Sequence, residues 1–119
     1  MDRVPLLWSF WYLAALLLTA CSTSVPAATE QEKSDAMRAY VSCLHNAARK
    51  MDDGKSDAAT IAIALKPVCA AEFANSVQVA ERGMNLQVKR MFEDRMQGHQ
   101  IEIATVAVLD ERRAQGRPN

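Results

Sequence analysis

Beyond residue 20 this 119-residue sequence has almost no aromatic side chains: only Tyr40, Phe73 and Phe92 remain of its seven. The other 99 residues carry 44 apolar side chains, 17 of them alanine, which limits them to a single small domain with a thin core. Charge of one sign is missing too, with 14 Lys+Arg against 14 Asp+Glu. That balance argues against nucleic acid or an anionic surface as an electrostatic partner. With only four glycines the sequence builds no glycine-rich phosphate loop, and it has neither a G-x-S-x-G elbow nor an H-E-x-x-H pair. Of its two histidines, His45 and His99, the first reads as a partly exposed helix flank, and neither is expected to form part of a metal pair. No metal, cofactor or catalytic residue is expected, and no repeat is found.

What is present begins with an uneven distribution. Residues 1–20 hold 15 of the 59 apolar residues and both tryptophans, in the run Val4–Ala20. A run of about 17 is short for a spanning helix, which needs roughly 20 residues, and it suits the apolar region of a secretory signal better. An uncleaved membrane anchor is the competing reading. Next comes Leu18-Thr19-Ala20-Cys21, an aliphatic residue, a small one, Ala and Cys. This resembles the lipobox of bacterial lipoproteins. The resemblance implies cleavage between Ala20 and Cys21 and acyl chains on Cys21, several being needed for firm anchoring. Ser22, where an Asp would signal retention in the inner membrane, implies the outer membrane in lipoproteins of enteric type. A rival site, Val25-Pro26-Ala27, has the small-x-Ala form an ordinary signal peptidase cuts, and would release a soluble periplasmic protein.

Three cysteines are an odd number for an exported chain. With Cys21 acylated, Cys43 and Cys69 form an even pair for an oxidising compartment. The alternative, a small periplasmic enzyme or redox carrier using Cys43 and Cys69, lacks the short Cys-x-x-Cys spacing and an acidified thiol.

The expected fold is all-α: a small helical hairpin clamped by the Cys43–Cys69 disulfide, plus a third long or broken helix. Residues 1–20 are the signal peptide, 21–28 a lipidated flexible tether, 29–114 the helical domain and 115–119 a disordered tail. Thr29-Glu30-Gln31-Glu32 has capping-box form and opens a helix to Met51, with Met37, Tyr40, Val41, Leu44, Ala48 and Met51 on one stripe. Asp52-Asp53-Gly54-Lys55 is a turn of solvated carboxylates, and Ser56-Asp57 caps a second helix. That helix carries Ile61, Leu65, Val68, Cys69, Phe73, Val77 and Ala80 on one face, with a break expected near Pro67. The disulfide requires such a break or a steep crossing, because Cys43 lies about 13 Å before the turn and Cys69 about 20 Å beyond it at 1.5 Å per residue. Glu72 is the one carboxylate expected to be partly buried, paired with a basic side chain.

A third helix covers Met84 to Gln97 with Val88, Met91, Phe92 and Met96 inward. The β-branched segment Ile101–Leu109 is read as helix, continuous with it through Gly98, because a lone strand would leave its backbone groups unpaired. Residues 84–110 carry more apolar surface than the hairpin covers, so they are the expected surface for a protein partner or self-association. The stretch AYVSCLHNAARKMDDGKSDAATIAIALKPVCAAEF resembles small exported bacterial proteins with one cysteine in each arm of a helical hairpin. That resemblance implies no activity.

Overall fold

A computed structural model describes residues 25–117. They form four helices and no strand: α1 (Glu30–Met51), α2 (Ala58–Val68), α3 (Ala70–Ala80) and α4 (Leu86–Ala114). The signal segment, the lipobox and Cys21 lie outside the described residues.

Three of the four helices, α1, α2 and α4, start where a side chain satisfies free N–H groups, and α3 follows directly from the break at Cys69 without a side-chain cap. At α1 the Thr29 hydroxyl accepts from the Glu32 N–H, and the Glu32 carboxylate accepts from the Thr29 N–H at 2.8 Å, a complete capping box. Asp57 caps α2 by accepting from the Thr60 N–H at 3.0 Å, and Asn85 caps α4 through the Val88 N–H at 3.0 Å.

The break expected near Pro67 is present and falls at Cys69. Proline has no N–H to give the preceding turn and crowds the carbonyl four residues back. Cys69 leaves helical geometry at φ −107 and ψ 23 and serves as the last residue of one helix and the entry to the next. The chain bends by 76° there. Cys69 is thereby swung back to Cys43, with a Cα–Cα distance of 5.9 Å, and the disulfide forms across 26 residues. The bend also turns Val68 outward, where it is exposed and not on the buried stripe expected of it.

Ranged around α1, helix α3 packs on it, α2 packs on α4, and α4 runs back along α1. The core is Tyr40, Leu44, Ala47 and Ala48 of α1, Ile61, Ala62 and Leu65 of α2, Cys69, and Ala104, Ala107 and Val108 of α4. Phe73 closes it from α3, its ring 5.3 Å from that of Tyr40. Alanines let the helix axes approach closely, so a core with few large side chains still excludes water.

Helix α4 is continuous through Gly98, as its spacing suggested, but only its second half is buried: Gln100, Ala104, Ala107, Val108 and Arg112. Val88 and Met91 are exposed and not inward, and Phe92 and Met96 are half-buried. The reason is the path of α3, which turns onto α1 and leaves the first half of α4 uncovered.

Two terminal segments differ from expectation. Residues 115–117 close α4, with the Arg117 N–H donating to the Arg112 carbonyl at 2.9 Å and the Arg117 guanidinium reaching the Asp52 carbonyl at 3.3 Å. Positive φ at Gly116 permits this helix-ending turn. At the other end Ala28 is buried, and Ala27 lies so close to Gly83 that a Cβ there would sit 2.9 Å from it. Residues 27 and 28 are therefore seated against the body, with Ala27 on the α3–α4 turn.

Candidate functional site

The Cys43–Cys69 pair lies under a shallow groove of about 540 Å³, lined by Ser42, Cys43, Asn46, Lys50, Val68 and Glu72 among others. Cys69 is fully buried and Cys43 half-buried. Redox exchange needs a thiolate to reach a sulfur in line with the bond, and burial of Cys69 leaves approach only from the Cys43 side. Glu72 is half-buried as expected, but among the described residues it pairs with no basic side chain.

The most constrained polar group in the fold is one that reading the sequence placed in solvent. Asp52 ends α1, and its carboxylate is gripped by Arg112 of α4: Nε–H donates to Oδ2 and the Nη2 group to Oδ1, each at 2.8 Å. The same guanidinium donates to the Ser56 carbonyl at 2.6 Å, and the Gly54 N–H donates to Asp52. The side chains are 5% and 4% exposed. The Arg112 hydrogen bonds hold the Asp52 carboxyl below the usual carboxylate range despite its burial. A signal was available: Arg112 continues the Ala104–Val108 line at four-residue steps, where a charge must find a partner.

Other carboxylates fix turns, helix starts and contacts between helices. Asp53 accepts from the N–H groups of Ser56 and Lys55 and from the Ser56 hydroxyl, which brings it down to about 2. Glu32 falls to about 2 through its hydrogen bonds to the Thr29 backbone and Arg82. Glu111 joins α4 to α1 by accepting from Arg49 at 2.9 Å, with His45 at 3.6 Å.

Two further pairings stand apart. Glu93 faces Glu81 beside a groove of about 610 Å³ between α3 and α4. A hydrogen bond with Glu81, then burial and carboxylate repulsion, raise the Glu93 pKa. Lys89 sits 3.7 Å from Glu81. On the outer side of α4, His99 Nδ1 lies 2.7 Å from Glu102 Oε2, a carboxylate three residues on that the sequence reading had not paired with it. Among the described residues no three His, Cys, Asp or Glu side chains converge as metal ligands.

Helix α4 leaves apolar side chains uncovered: Val88 and Met91 on its first half, and on its second half Val106, beside a groove of about 390 Å³ lined by Val41, His45, Glu102, Ile103 and Asp110. Compared with protein families, with curated proteins and with solved structures, the chain matches none.

Proposed function

We propose that the chain is a lipid-anchored protein of the bacterial cell envelope that faces the periplasm and acts as an interaction or structural module. The observation that carries this reading is the Cys43–Cys69 bond. It uses two of the three cysteines and leaves Cys21, within Leu18-Thr19-Ala20-Cys21, for acylation. A bond between helices in an otherwise thin core suits an oxidising compartment. The seating of Ala27 and Ala28 against the body supports cleavage before Cys21 over cleavage after Ala27, which would sever that contact. Ser22 favours the outer membrane. The uncovered face of α4 supports the module reading.

The test is Cys21→Ser in the full chain, followed by labelled fatty acid incorporation and membrane fractionation. The parent chain is expected to take up label and sediment with the membrane, and the variant to lose both. An unlabelled parent chain, or unchanged labelling in the variant, overturns the anchor.

A further inference from the structure

We infer that the outer face of α4 pairs two copies of this chain, antiparallel, about a two-fold axis passing between Gly98 and His99. The inference deepens the module reading by naming its partner, and it stands on α4 alone. At about 100° per residue, Met91, Arg95, Gly98, Glu102 and Val106 fall within an arc of roughly 80° on one side of the helix. This side points away from the buried line through Gln100, Ala104 and Val108. Met91 is 62% exposed and Val106 is 54% exposed, at the two ends of the stripe.

The stripe is self-complementary. A two-fold axis between residues 98 and 99 sets residues equidistant from it face to face. Arg95 meets the partner's Glu102 about 5 Å along the helix from the axis, and Met91 meets the partner's Val106 about 11 Å along it. Symmetry makes each contact twice, as in any isologous interface. Within the described residues Arg95 has no ion pair, and Glu102 uses only Oε2, toward His99. At the crossing point stands Gly98, with nothing within 4 Å of where a Cβ would be. A glycine in mid-helix weakens that helix, and here it lets two backbones approach closely. The parallel alternative, in register, sets Arg95 against Arg95 and Glu102 against Glu102, and is repelled.

A single helix crossing is small beside the roughly 1,200–2,000 Å² of a standard interface, so the pair is weak in free solution. Two copies held on one membrane meet at a much higher effective concentration.

The experiment uses the full chain purified in mild detergent, so that pairing is read whether or not Cys21 carries lipid. Sedimentation over a concentration series is combined with photo-cross-linking from a benzophenone side chain placed at Met91. The parent chain is expected to give a dimer cross-linked to the region of Val106. Arg95→Glu and Glu102→Arg are each expected to weaken association about tenfold, since both symmetry-related ion pairs become repulsive. Mixing the two variants restores both pairs and is expected to restore the dimer. Circular dichroism of each variant confirms that these solvent-facing changes leave the helices intact. A parent chain that stays monomeric, single variants that associate unchanged, or a mixture that does not recover overturns the pairing. Loss of fatty acid label with the dimer retained would sink only the anchor.

Discussion

Arg112 grips Asp52 across 60 residues of sequence with both ends of its guanidinium fork, and both side chains are shut away from water. The pair ties the end of α1 to the end of α4, and its contact with the Ser56 carbonyl secures the turn leading to α2. Removing one partner strands the other charge in a dry site, which is costlier than losing the attraction itself. Asp52→Asn is expected to lower the thermal midpoint by roughly 10 °C or more. Arg112→Lys should do nearly as much, because an ammonium cannot reproduce the two-pronged grip. Arg90→Gln, an exposed change on α4 at a side chain with no ion pair among the described residues, serves as the control in the same melting experiment.

Opening the Cys43–Cys69 bond enlarges the conformational freedom of the unfolded chain by releasing a loop of 26 residues. On chain-entropy grounds that costs about 3–4 kcal/mol. Denaturant titration of Cys43→Ser/Cys69→Ser against the parent should show this loss with the helical circular dichroism retained. The folded parent should react slowly with reductant, since Cys69 is buried. Rapid reduction under native conditions would contradict a structural bond.

Two glycines separate backbone need from local choice. Gly83 holds φ +80 against Ala27, so Gly83→Ala brings both strain and a 2.9 Å clash, and should destabilise the fold and loosen residues 25–28. Gly98 has ordinary helical geometry in open space, so Gly98→Ala should stabilise the monomer by about 0.5–1 kcal/mol. Paired denaturation curves check both signs.

Acid should weaken the fold over a defined window. Glu32 and Asp53 both lie near 2 in the folded chain, below the ordinary carboxylate values of the unfolded one. Lowered groups contribute their stabilisation in full above the unfolded value, and it is lost as pH falls from about 4.5 toward 2. Glu93 acts in the opposite sense, because its raised pKa favours folding as it takes up a proton. Glu32→Gln should flatten the acid limb of a stability–pH profile, and Glu93→Gln should raise stability near neutral pH relative to acid.

Much of the fold follows from local rules. Thr29 and Glu32 mark a capping box, Asp57 a cap and Pro67 a break, and each of these signals lies within one or two turns of what it controls. The long-range consequences do not follow in that way. That Val68 and Met91 face solvent depends on the 76° bend and on the direction α3 takes after it. Of the Asp52–Arg112 pair only Arg112 carries a local signal, its place on the Ala104–Val108 line; Asp52 sits in a polar turn, and nothing near it in sequence names it as the partner. The α4 surface was legible as an excess of apolar side chains, while its lateral position needed the packing of α2 and α1 to be known.

The disulfide also decides how the chain yields when it is stretched from its ends. A pulling force passes from residue 43 to residue 69 through the sulfur bridge, and the 26 residues of separation between them never enter the extended thread. At about 3.5 Å per residue, roughly 90 Å of contour stays hidden until the bond is reduced. The load falls first on the seated segment at Ala27 and Ala28 and, at the other end, on the closing turn of residues 115–117. The molecule can thus give way at both ends while the sulfur-closed loop, carrying Leu44, Ile61 and Leu65, cannot be drawn out.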